Sequence, residues 1–123
     1  MTTQEATEVY SSTTSRLTLP PSARWRPLRT SEGKFRVAYT RDQAVSAAES
    51  QWVCAWEKEW VQAYGTDSEA SEAAIKQLKA FPMMDEYKNQ YGSELKGYFD
   101  QILLRAQLGD AAPMRKEVEV NCP

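Results

Sequence analysis

The chain has 123 residues, a net charge of −2, 41% hydrophobic residues and no histidine. That length suits one small domain with room for a tail. The missing histidine excludes Ser–His and Cys–His couples and every imidazole metal ligand. No run of about 18 apolar residues occurs, so nothing in the chain reads as a membrane-spanning helix.

The charge is split along the chain. Arg16, Arg24, Arg26, Arg29, Lys34, Arg36 and Arg41 face only Glu32 between residues 16 and 41, whereas acids outnumber bases from residue 42 onward. A basic arm therefore precedes an acidic body.

Residues 1–16 are rich in Ser and Thr and poor in apolar side chains. Such a composition buries too little to offset chain entropy, which predicts a disordered linker. Met1 leads into Thr, Gln and Glu rather than a basic-then-apolar leader. Export would then need a targeting segment ahead of residue 1, and without one the location is cytoplasmic.

Residues 17–40 read as an extended basic arm. Pro20, Pro21 and Pro27 surround Arg24-Trp25-Arg26 and oppose both helix and sheet interior. Leu17, Leu19, Trp25 and Leu28 are anchors with which the arm can lie along a helical body. Arg24, Trp25 and Arg26 are the candidate partner-binding residues, suited to an anionic surface or an acidic protein. The plainer reading tucks Trp25 inward and turns the arginines toward acidic helices. Phe35, Val37 and Tyr39 alternate with polar residues, as do Val118 and Val120, so the two segments are expected to pair as short strands.

The helical domain spans 41–123. Trp52, Trp56, Trp60 and Tyr64 recur every fourth residue, which spreads four rings over roughly 120° of one helix face. Thr40 and Gln43 fit a capping box at its start, and Gly65 suits the left-handed position past its end. The prediction is a helix over 41–64 that centres the core, with packing preferred over an aromatic ligand groove. Thr66 and Glu69 repeat the capping-box spacing ahead of a second helix that Pro82 ends. Met83, Met84, Tyr87 and Tyr91 suggest a short helix. Ser93 is read as the cap of a third, with Leu95, Tyr98, Phe99, Ile102, Leu103 and Ala106 on one face and Gly109 as its stop. Pro113 starts a tail that runs to Cys122.

Cys54 and Cys122 allow one bridge or two unrelated thiols. The bridge is preferred, because it would pin the tail to the tryptophan helix and contribute roughly 4 kcal/mol in the chain-entropy model. Neighbouring carboxylates occur as Glu57/Glu59 and Asp85/Glu86. Glu57 and Glu59 lie about 200° apart on a helix, so they point to different sides, and both read as solvated. No glycine-rich phosphate loop follows a strand. The acidic body and the lack of an arginine-bearing helix argue against nucleic acid as a partner. No catalytic residue, metal site or cofactor is expected.

Leu17-Thr18-Leu19-Pro20-Pro21, then Gln51-Trp52-Val53-Cys54-Ala55-Trp56-Glu57-Lys58-Glu59-Trp60 and a near-terminal cysteine, resemble a group of actinobacterial cell-envelope proteins. In that group a soluble part of this kind follows a single N-terminal membrane segment. The resemblance implies an extracytoplasmic, disulfide-bonded helical domain attached to the membrane only through a segment this chain lacks. It implies no activity.

The sequence thus predicts an all-α fold: a small three- to four-helix bundle with an extended N-terminal arm and a disulfide-tied C-terminal tail. Its expected role is non-enzymatic binding or scaffolding, with another envelope protein or an anionic surface as partner. An intracellular helical adaptor is the alternative. A carboxylate-dependent hydrolase is a third, and it requires two acids converging in one pocket.

Overall fold

The structure is a computed structural model that describes residues 1–29, 31–32, 35–36 and 38–123, with no side-chain description for 31–37. It contains five α-helices among the described residues: α1 Thr3–Ser15, α2 Arg41–Ala63, α3 Ser68–Leu78, α4 Ser93–Gln107 and α5 Ala112–Asn121. The fold is all-α, and its C-terminal end is tied by a Cys54–Cys122 disulfide.

Helix α1 corrects the disordered linker expected over 1–16. Thr2 and Glu5 form a capping box, and Ala6, Tyr10 and Thr13 are buried. Those three positions share one face at helical spacing, and that face packs against α2. The Ser and Thr hydroxyls do not compete with the helix, because they fold back onto it. Thr7 donates to the Thr3 carbonyl, Thr13 to Val9, Thr14 to Ser11 and Ser15 to Ser12.

The arm from residue 17 to 29 lies along α2 without regular structure. Its fixed point is the Thr18 carbonyl, which accepts the indole N–H of Trp52 at 3.1 Å and of Trp56 at 2.9 Å. Pro20 is fully buried, and Leu17, Leu19 and Trp25 pack on the core. A two-stranded ribbon follows, with β1 Ser31–Glu32 antiparallel to β2 Phe35–Arg36 in the register Ser31 to Arg36 and Glu32 to Phe35. The expected pairing of residues 35–39 with Val118 and Val120 is thereby corrected. Val118 and Val120 lie in α5, and Val37 is outside the described residues.

Helix α2 starts on the Thr40–Gln43 capping box and carries Trp52, Trp56 and Trp60 into the core at 2%, 7% and 2% exposure. The Trp60 and Tyr64 rings stack at 4.6 Å. Gly65 then adopts φ +82°, the left-handed conformation in which a side chain would be strained. The cap of α3 is Asp67, one residue later than expected. Thr66 is unavailable because its hydroxyl bonds back to the Ala63 and Gln62 carbonyls at the end of α2.

Pro82 sits in a 3₁₀ turn, Phe81–Met83, and a π-helical turn, Glu86–Gln90, follows in place of the short α-helix expected there. Gly92, not Ser93, holds the cap position of α4, with no side-chain cap bond. Gly109 closes α4 at φ +86°, and its carbonyl accepts the Tyr64 hydroxyl at 2.8 Å. The expected tail from Pro113 is instead α5. Proline is tolerated there because it stands in the first turn, where its absent N–H would have no helical partner. The core joins the α2 tryptophans to Leu78, Phe81, Phe99, Ile102, Leu103 and Met114.

Candidate functional site

Cys54 lies midway along α2 and Cys122 caps the end of α5, with their Cα atoms 5.5 Å apart. Helix α5 has ten residues and buries only Met114 within the helix. So short a helix is marginal alone. The bridge ties its end to α2, alongside the bond from the Lys58 ammonium to the Pro123 carbonyl, and a closed loop of 68 residues makes that constraint worth roughly 4 kcal/mol.

Docking α5 onto α2 covers Glu57. This corrects the solvated carboxylate expected from sequence, since Glu57 is 2% exposed. Burial pushes its carboxyl up to about 8, and the nearby charge of Glu117 adds to the rise. Its Oε1 lies 3.6 Å from the Cys122 Sγ. A bridged sulfur carries no hydrogen, so the hydrogen of that contact belongs to the protonated carboxyl of Glu57. Burial, with the charge of Glu117, therefore favours a neutral Glu57 at pH 7.

Around it is a pocket of about 270 Å³ between α2, α4 and α5, lined by Cys54, Glu57, Tyr91, Tyr98, Phe99 and Glu117 among others. Burial, then the hydrogen bond and charge of Glu117, push the Tyr98 phenol up to about 12. Tyr91 is raised mainly by burial and then by Glu86, Glu57 and Glu117. The carboxyls that converge are thus Glu57 and Glu117, not the sequence neighbours Glu57 and Glu59. Glu59 points elsewhere and accepts the Ser22 hydroxyl at 3.3 Å.

A second acidic pair fastens the π-helical turn. Glu49 is 6% exposed, and its Oε1 accepts the Glu86 backbone N–H at 2.8 Å. Ser50 donates to the Glu86 carboxylate at 2.7–2.8 Å. Burial raises both carboxyls. Asp85, the other member of the sequence pair, is exposed.

Arg24, Trp25 and Arg26 do not form one continuous patch. Trp25 is half-buried and meets Tyr10 edge-on at 6.5 Å. The Arg26 backbone is tied down, its N–H donating to Gln51 Oε1 at 2.9 Å and its carbonyl accepting the Tyr10 hydroxyl. The Arg24 and Arg26 side chains are exposed and border a second groove of about 270 Å³ with Gln51, Cys54, Lys58 and Gln62. The bridge thus separates a cationic groove from an acidic pocket.

Cys54, Glu57 and Cys122 place three metal-type donor atoms within 4.8 Å of one another. While the sulfurs are joined, they offer no thiolate to an ion. Sequence reasoning missed Glu57, Glu117, Tyr91 and Tyr98 as a group. One signal was available: Cys54 and Glu57 are three apart on a helix and share a face. A segment bridged to Cys54 can therefore cover Glu57. No protein-family model, curated protein or solved structure matches this chain.

Proposed function

We propose that the chain is a non-enzymatic binding or scaffolding domain that works in an extracytoplasmic, oxidising compartment of a bacterial envelope. The Cys54–Cys122 bridge carries the reading. A small helical domain whose last helix is held by one disulfide fits a compartment where disulfides persist and suits a reducing cytosol poorly. The resemblance of the Trp52-to-Trp60 stretch to actinobacterial envelope proteins points the same way.

The binding face of this reading is the cationic groove bordered by Arg24, Arg26 and Lys58. Its partner is an acidic envelope protein or an anionic surface, attracted through charge and weakened by salt.

Thiol titration of denatured, unreduced protein taken from its native host tests the compartment. The expected result is no free thiol, and two free thiols would favour the intracellular adaptor. For the binding face, vesicles of anionic and of neutral phospholipid and an acidic peptide serve as probes. Arg24→Glu with Arg26→Glu should abolish salt-sensitive binding to the anionic probes. Binding that survives the double reversal would remove the groove from the proposal.

A further inference from the structure

Burying a carboxylic acid without a cationic partner among the described residues costs stability, and the group then stays neutral rather than charged. Glu57 is such a group, and the atom it faces is a disulfide sulfur. Both cysteines are half-buried, but their sulfurs face different surroundings. Cys54 lines all three grooves that meet there, whereas Cys122 lines none of them. The cationic groove, with Arg24, Arg26 and Lys58, leads to Cys54. The carboxyl of Glu57 rests on Cys122.

The geometry points to a thiol–disulfide exchange site: Cys54 is the sulfur attacked by an incoming dithiol, and Glu57 is the acid that protonates Cys122 as it leaves. This goes beyond the proposed binding role by adding a redox reaction that the non-enzymatic reading leaves out, and it needs the bridge but not the compartment.

A thiolate favours electropositive surroundings, which the arginine-lined groove supplies on the Cys54 side. Its sulfur attacks Cys54 Sγ in line with the bridge. The Cys54–Cys122 bond breaks, and its electron pair moves to Cys122 Sγ. Glu57 gives its proton to that sulfur, leaving a Cys122 thiol, a Glu57 carboxylate and a mixed disulfide on Cys54. The second thiol of the dithiol loses its proton, attacks the mixed disulfide and expels the Cys54 thiolate. The proton released returns to Glu57. The dithiol is oxidised to its disulfide and the protein bridge is reduced to one thiol and one thiolate. In the reverse direction the Glu57 carboxylate takes the proton from Cys122. An acid whose pKa lies close to the working pH suits both directions, and burial holds Glu57 at about 8.

The other titratable groups facing Glu57 are Glu117 from α5, Tyr98 from α4 and Tyr91 just ahead of α4. Both phenols are raised, so they stay neutral across the range that matters. Glu117 is the one neighbour whose charge acts on Glu57 there.

The test is the rate at which dithiothreitol opens the bridge between pH 6 and 9.5, followed by quenched alkylation and expressed per dithiothreitol thiolate. In the wild-type protein this rate should fall through a single titration near pH 8 as Glu57 loses its proton. Glu57→Gln is neutral at every pH, so its profile should be flat, and about tenfold slower below pH 7 for want of a positioned acid. Identical rates and profiles for the two proteins would overturn the inference. Glu117→Gln, at a half-buried position, provides a check that does not depend on the folding of the first variant. It should move the wild-type inflection to lower pH, and an unmoved inflection would count against Glu57. With glutathione at pH 7, the trapped mixed disulfide should map to Cys54; mapping to Cys122 reverses the assigned roles and overturns the inference.

Discussion

Glu57 and Cys122 stand 65 residues apart in the chain and meet at 3.6 Å, carboxyl oxygen to sulfur. The contact joins the middle of α2 to the end of α5, with the acidic pocket on one side and the cationic groove on the other. It makes the disulfide and the buried acid one unit, and it leads to a first prediction about pH.

Glu57 binds its proton more tightly in the folded chain than in the unfolded one, with the carboxyl raised from 4.5 to about 8. Below pH 4.5 both states are protonated and the group has no effect on stability. Between pH 4.5 and 8 the unfolded state gives up its proton first, so stability falls as pH rises, by up to about 1.4 kcal/mol per unit. Above pH 8 the penalty is constant. Glu49 and Glu86 are raised too and act in the same direction. Urea unfolding at pH 5 and pH 8 should show the wild type losing a few kcal/mol, and Glu57→Gln losing much less. Parallel losses in the two proteins would refute the assignment.

Opening the bridge should loosen α5 before the rest. Cys54→Ser with Cys122→Ser is expected to cost about 4 kcal/mol of stability, by release of a constraint on the unfolded chain. Hydrogen exchange should accelerate over Ala112–Asn121 while the amides of α2 stay protected under native conditions. Uniform acceleration would mean that α5 is held by its packing rather than by the bridge.

The N-terminal helix makes a separate claim. The Tyr10 hydroxyl donates to the Arg26 carbonyl and accepts from the Gln51 amide at 2.9 Å. Tyr10→Phe leaves both partners short of a bond and should cost about 1–2 kcal/mol in chemical unfolding. A disordered segment over 1–16 would show no cost at all.

Trp52 and Trp56 share one acceptor, the Thr18 carbonyl. Replacing either by Phe leaves that carbonyl with one donor. Replacing both removes both indole donors. A double-mutant cycle should therefore show the double replacement costing about 1 kcal/mol more than the sum of the singles. Strict additivity would indicate that water takes over the carbonyl.

The α2 helix was legible in the sequence down to its cap. Its signals are local: a side chain bonding an amide three residues away, and rings repeating with the helical turn. The bridge was favoured for a similarly simple reason, one even pair of cysteines. Helices α1 and α5 were not legible. Ser and Thr at 11–15 and Pro113 both weigh against helix when read alone. They are overruled by Tyr10 docking on Gln51 and by Met114 entering the core.

What the chain determined by itself, then, is the tryptophan helix, its ends and the inward direction of its rings, because these follow from spacings within one turn. The fate of Glu57 belongs to the tertiary structure. On α2 alone it is one more polar residue between indoles. It becomes a neutral acid against a sulfur only when α5, some sixty residues later, closes over it and removes its water.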